Sequence, residues 1–281
     1  MNVFDLWAMQ PEVLADLVRR WERHAQGDPA VEAARPGERP TASAPGVAVI
    51  PVVGPITQRG GGLFEAFFGG TSTERIGAKL SQALSDPGVG SIVLDVDSPG
   101  GTVNGVAELA DSIYQARGRK PIVAVSNTLM ASAAYWIGAS ADEVIASPSS
   151  QTGSIGVYAL HVDQSRAWEA AGLTATLISA GKYKTEANEF APLSDEARAA
   201  VQGQVDAYYE MFVNAVARGR GKAAVTVRNG FGEGRVLTAQ AAVDAHLADR
   251  VGTLGEAVAR AGALARRRAA AQADALRLLV A

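Results

Sequence analysis

Short apolar runs alternate with helical patterns through the middle of this chain, and the alternation limits the folds open to it. Val47–Val53, Ser91–Val96, Pro121–Val125 and Glu143–Ala146 each read as a buried strand. Between them, Thr73–Ser85, Val103–Ala116 and Ala131–Ala139 carry helical spacing, the first with Thr71, Ser72 or Thr73 as its cap. Strand, helix, strand at this spacing means βα units around a largely parallel sheet, with right-handed crossovers covering its faces. The expected class is therefore α/β. Ile155–Tyr158 and Thr174–Ile178 read as further strands; Ser194–Arg218, Thr238–Ala245 and Thr253–Leu278 read as helices.

The flanks divide the chain. Residues 1–25 read as an amphipathic helix through Leu6, Met9, Val13, Leu14, Leu17 and Trp21, with Pro11 in the first turn of its main part. It is expected to dock on the main domain or a neighbouring subunit. Residues 26–45 are a Pro- and Gly-containing linker, 46–262 the main domain, and 263–281 a helical tail rich in Ala and Arg. Gly60-Gly61-Gly62 and Gly69-Gly70 bracket Leu63–Phe68, which reads equally as a mobile flap or as a loop plugged into the core.

Composition removes several function classes. Of 281 residues, 26 are Lys or Arg and 29 are Asp or Glu, a formal net charge of -3 that disfavours a nucleic-acid partner. Arg266-Arg267-Arg268 reads as a solvated helix face. There is no cysteine, which excludes disulfides, thiolate catalysis and cysteine metal sites. The three histidines, His24, His161 and His246, show no ligand spacing, so neither a metal nor another cofactor is expected. No run is apolar enough to span a membrane, and Asp5 and Glu12 interrupt any secretory signal pattern.

The stretch from Ser126 to Tyr158 carries the chemistry. Ser132 lies among Met130, Ala131, Ala133, Ala134 and Tyr135, close to a helix start where free amides and positive dipole density collect. A nucleophilic serine needs a base and an oxyanion site. A lysine serves as base where small or apolar neighbours favour its uncharged form. Gly181-Lys182-Tyr183-Lys184-Thr185 offers Lys184 as the candidate base, with Lys182 beside it. The same serine also reads as a plain cap or packing residue. Gly100-Gly101, after Ser98-Pro99, leaves amides exposed for an oxyanion, or simply makes a tight turn. Asp95 and Asp97 read as caps or structural acids, and His161 as a structural histidine. Thr152–Gly156 reads as an anion-binding turn or a supply of hydroxyls, and lacks the phosphate-loop pattern.

Four ordered segments resemble the signal peptide peptidase A (protease IV) family of serine proteases: Asp97–Gly101, Met130–Trp136, Thr152–Val157 and Ser179–Pro192. The likeness covers roughly residues 45–262. Leu6–Met9 and His161–Ser165 resemble its phage branch, the head-maturation proteases also called minor capsid protein C. The resemblance implies a crotonase-like/ClpP-like spiral of repeated β-β-α units with peripheral helices. It implies Ser132 as nucleophile, Lys184 as general base, Ser154 as the hydroxyl orienting the lysine, and Gly101 as the oxyanion amide. Ser132's own amide is a weaker second donor. Tetramers or octamers, cleavage after small residues and capsid or scaffold partners are implied as well. The expected location is the cytoplasm or the interior of a phage prohead. Relatives often have glycine after the nucleophile, where this chain has Ala133-Ala134, which narrows the pocket. Two alternatives stay open: an acyl-CoA enzyme of the crotonase type, and a non-enzymatic capsid assembly protein on a protease fold.

Overall fold

In the computed structural model, residues 6–25, 44–60 and 69–280 are described. Most of the expected linker and the whole of Leu63–Phe68 lie outside them. The chain begins with β1 (Trp7–Met9), α1 (Pro11–Ala25), β2 (Val47–Val53), β3 (Ile56–Thr57), β4 (Thr71–Ser72) and α2 (Thr73–Ser85). It continues with β5 (Ser91–Ser98), β6 (Gly100–Thr102), α3 (Val106–Ala116), β7 (Ile122–Ala131), α4 (Ala133–Gly138), β8 (Glu143–Ala146) and β9 (Gln151–Gly153). The last part holds α5 (Ser165–Ala170), α6 (Asp195–Arg220), α7 (Ala224–Gly230), β10 (Val236–Thr238), α8 (Ala239–Asp244), β11 (Arg250–Val251) and α9 (Leu254–Val280).

The expected α/β class, with a largely parallel sheet and peripheral helices, is what forms. β2, β5 and β7 run parallel in the larger sheet, β2 at its edge, with β8 and β9 both parallel to β7. β8 pairs with the first half of β7 and β9 with its end, so the sheet forks along one long strand. A smaller sheet has the order β1-β6-β3-β4.

Two-residue periodicity sorts the side chains into layers. Ile92, Leu94 and Val96 of β5, Ile122 and Ala124 of β7, and Ile50 and Val52 of β2 face the main core. That core also takes in α2, α3 and α6 through Ile76, Ile113 and Phe212. Val93, Val123 and Val125 face the other way, onto Ala257, Val258 and Ala261 of α9. Each of the buried Val, Leu and Ile side chains among them stabilises the fold by about 1.5–3 kcal/mol. A charge at Val123 would break the sheet's seating on α9.

The helix ends follow their sequence signals. Ser72 caps α2 by accepting from the Arg75 amide at 3.2 Å, and Ser194 caps α6 by accepting from Ala197 at 3.2 Å. Gly221 stops α6 at φ 61°. In the core, Trp136 of α4 stacks on Phe212 of α6, with ring centroids 4.7 Å apart.

The fold corrects three expectations. The N-terminal segment is not one helix: Trp7–Met9 form a strand and the helix starts at Pro11. Thr174–Ile178 pair with nothing among the described residues and lie exposed, because a strand needs a neighbour for its amides. Ile155–Tyr158 make only the single bridge of Tyr158 with Trp7. The helix expected over Thr253–Leu278 forms as α9, unbroken from Leu254 to Val280.

Candidate active site

β7 leads straight into α4, and Ser132 is the one residue between them. The turn is tight: Ser132 takes φ 55° and ψ −121°. For a residue with a Cβ, such a conformation costs on the order of 1–3 kcal/mol and is retained only where the surroundings impose it. The imposition is visible. Ala131 pairs with Gly153, and the Ser132 amide then donates to the Gly153 carbonyl at 2.8 Å. Ser132 is 1% exposed, and its hydroxyl points to the Gly156 carbonyl at 3.4 Å.

Ser154 leaves β9 as Ser132 leaves β7. It too has φ 55°, and its amide donates to the Arg235 carbonyl at 2.8 Å. The two serines therefore follow directly on paired residues, Ala131 and Gly153.

The glycine pair completes this end of the sheet. Ser98 Oγ donates to the Gly54 carbonyl at 2.6 Å and accepts from the Gly100 amide at 3.2 Å, fixing the turn at Pro99. Gly100 has φ 96°, and a Cβ on it would lie 3.0 Å from both the Ala131 carbonyl oxygen and the Ala133 amide nitrogen. A Cβ on Gly101 would lie 1.7 Å from the Ile56 carbonyl oxygen. Only glycine lets the backbone pass this close on both sides. Ser132, Ser154 and Gly100-Gly101 are thus brought to one end of the sheet.

Lys184 is not brought to Ser132 within the described residues by any hydrogen bond. It is exposed, and its amide donates to the Gly181 carbonyl at 3.2 Å. Lys182 is differently placed. Its ammonium bonds to Tyr183 Oη at 2.7 Å and to Glu196 at 3.0 Å. Those two bonds, the tyrosine first, raise its pKa, the wrong direction for a base.

The expected second donor is corrected: Ser132's own amide is already given to Gly153. Ala133, the first residue of α4, supplies an amide of the kind that a helix start leaves without an intrahelical acceptor. Sequence reasoning passed over that amide, although the Ala133 position one past the serine is its only signal. Asp95 is a structural acid, buried and bonded by Asn127 Nδ2 at 3.1 Å. His161 Nε2 lies 3.0 Å from the Asn188 carbonyl, which suits its structural reading. Among the described residues, no group of three or more His, Asp or Glu is placed to hold a metal ion. None of their helices is long and apolar enough to cross a membrane.

The chain is 36% identical over 206 residues to the capsid assembly protease C of Escherichia phage lambda, which covers 73% of this chain and 46% of that protein. It is 36% identical over 213 residues to the head-tail preconnector protein GP5 of Enterobacteria phage P21, covering 76% of this chain and 42% of the other. Protease 4 of Salmonella typhi is 30% identical over 199 residues, 70% of this chain and 32% of its own. The chain spans less than half the length of each of these relatives. Residues 115–268, more than half of the chain and the part that holds both strained serines, match peptidase family S49, and the chain belongs to that family.

Proposed function

We propose that this chain is a serine endopeptidase of capsid maturation, with Ser132 as nucleophile and Lys184 as general base. The observation that carries the reading is the backbone of Ser132. A buried serine held at positive φ on a strand-to-helix turn, beside a glycine pair and an open helix amide, is strain kept for a purpose. The mechanism follows from the groups present. The Lys184 amine takes the Ser132 proton as Oγ attacks a peptide carbonyl. The amides of Gly101 and Ala133 hold the oxyanion. The lysine then protonates the leaving amine, and water hydrolyses the acyl-enzyme. Ser154 orients the lysine. No step requires a cofactor.

The exposed position of Lys184 fits a homo-oligomer, a tetramer or octamer, in which a second copy covers its segment. Leu173, Leu177 and Tyr183 are exposed there, and Ile178 is 95% exposed, an apolar surface that needs a partner. The substrates proposed are capsid or scaffold proteins cut after small residues, inside a prohead or in the cytoplasm of the host. The capsid role extends to the present chain what the name of one phage relative, a capsid assembly protease, says of that protein.

A fluorophosphonate probe followed by peptide mass mapping tests the assignment. Label on Ser132 that is lost in Lys184→Ala supports the pair. Label elsewhere, or full peptide hydrolysis in Lys184→Ala, removes it. Partner processing that is unchanged in Ser132→Ala would favour the assembly-protein reading, and thioester turnover surviving that substitution the acyl-CoA one.

A further inference from the structure

The N-terminal strand lies along the glycine pair that passes beside Ser132. β1 pairs antiparallel with β6, placing Trp7 opposite Thr102, Ala8 opposite Gly101 and Met9 opposite Gly100. On its other edge, Trp7 and Tyr158 exchange both backbone hydrogen bonds, at 2.9 and 3.0 Å. The segments that grip it, Gly100–Thr102 and the stretch after Ser154, are the two that flank Ser132. An extended peptide held by its backbone between two such edges is the strand-addition mode of peptide capture. Here residues 6–10 of the chain itself occupy that place.

The register singles out one bond. The Val103 amide donates to the Leu6 carbonyl and the Gln10 amide to the Pro99 carbonyl, each at 3.1 Å. Antiparallel pairs alternate between bonded and non-bonded classes, so Ala8 and Gly101, two residues from each, are a bonded pair. The Gly101 amide is thereby turned to the Ala8 carbonyl. A Cβ on Gly100 would lie 2.1 Å from that carbonyl oxygen and 3.0 Å from the Ala133 amide nitrogen. The carbonyls of Leu6 and Trp7 are taken by Val103 and Tyr158. Ala8 thus presents its carbonyl to the Gly101 amide, and Gly100, which touches both that carbonyl and the turn at Ser132, lies beside it. Its side chain is small and fully buried, while Trp7 and Met9 are anchored with Leu14, Leu17 and Tyr158.

We propose that Ala8–Met9 is a cleavage site in cis, the first substrate of the chain's own Ser132; this rests on the serine peptidase reading above. Ser132 Oγ adds to the Ala8 carbonyl carbon and the bond to the Met9 nitrogen breaks. The hydroxyl proton passes through the base to the Met9 amine. Water then hydrolyses the Ala8–Ser132 ester, leaving an Ala8 carboxylate and a free serine. The products are a peptide ending at Ala8 and a chain beginning at Met9. Until the first leaves, the groove is closed to other peptides.

The test follows intact mass and N-terminal sequence of the purified full chain with time, beside hydrolysis of fluorescein-labelled casein. Wild type should acquire Met9 as its terminus, and Ser132→Ala should stay whole even when mixed with wild type. Met9→Pro disturbs no bonded pair, since Met9–Gly100 is of the non-bonded class. That variant should also stay whole. If its strand fills the groove nine parts in ten, casein hydrolysis falls about tenfold. Ser132-dependent casein hydrolysis by a chain that keeps residues 1–8, or is cut at another bond, overturns the cis site and leaves the peptidase reading standing. Cleavage of the mixed-in Ser132→Ala chain overturns the cis geometry. Absence of both cleavages overturns both readings.

Discussion

The Ser132 amide and the Gly153 carbonyl, 2.8 Å apart, join the end of β7 to the end of β9 and hold Ser132 at positive φ. That one bond explains how a serine can keep a conformation suited to glycine. The parallel pairing of Ala131 with Gly153 supplies the leverage, because the bond continues the ladder by one step past the strand.

Replacement of Ser132 should therefore separate stability from activity. Both Ser132→Ala and Ser132→Gly should abolish peptide hydrolysis. Glycine relieves the strain and alanine does not, so Ser132→Gly should be the more stable of the two by about 1 kcal/mol after its greater unfolded-state entropy is offset. Urea denaturation of the two variants checks this. Equal midpoints would show that the backbone at 132 is unstrained.

The two lysines of the exposed segment should behave oppositely. Lys184→Ala should lower kcat by about 10²–10³ or more if its amine is the base. Lys182→Ala breaks an ion pair with Glu196 that is exposed and screened by solvent, so stability should be unchanged. Its kcat should stay within about threefold of wild type by the same reasoning. Steady-state kinetics on one peptide substrate decides, and a larger loss at Lys182 would reverse the assignment of the base.

Much of this was readable from the chain, and the parts that were not share a cause. Ile92–Val96 read as a buried strand because a run apolar on both faces fits a sheet covered on both sides. Ser132 and the glycine pair stood out by residue type. The continuation of β7 through Ser126, Asn127 and Thr128 did not, because it depends on β9 pairing at Leu129–Ala131. Thr174–Ile178 has strand composition but no partner edge. Leu6 and Met9 fit a helical pattern with Val13 and Leu17, and Trp7–Met9 becomes a strand only because the edge of β6, distant in sequence, receives it. The positive φ of Ser132 and Ser154 is likewise imposed by neighbours and has no local signal.

Acid should unfold the protein partly through Asp249. Arg220 grips it in two bonds of 2.9 and 2.7 Å, and the Val144 amide adds a third at 2.7 Å. Burial alone would raise the Asp249 pKa; the bonds and charge of Arg220, with the Val144 amide, outweigh burial and hold it below the ordinary carboxylate value. A depressed folded-state pKa gives stability that is present above the unfolded value of about 3.9 and is lost as pH falls through the folded one. Wild type should lose Tm on passing below about pH 4, and Asp249→Asn should show a lower Tm at neutral pH with a flatter acid limb. Parallel acid limbs in the two proteins would remove Asp249 from the account.

Gly101→Ala tests the packing on which the site depends. The added methyl would meet the Ile56 carbonyl oxygen at 1.7 Å and the Ile56 nitrogen at 2.7 Å, both backbone atoms that no rotamer change can move away. β3 and β6 would have to part, since Ile56 and Gly101 are partners in their pairing. A loss of about 3 kcal/mol is expected, within the range for overpacking a buried site. The same separation would withdraw the Gly101 amide from the position facing β1, so activity should fall with stability. Gly118→Ala is the control: it also has positive φ, at 87°, yet nothing lies within 4 Å of its added methyl. It should show only the backbone penalty, about 1 kcal/mol, and full activity. Thermal melts of the two variants measured together separate collision from conformational strain, and equal losses would mean that the contact with Ile56 yields without cost.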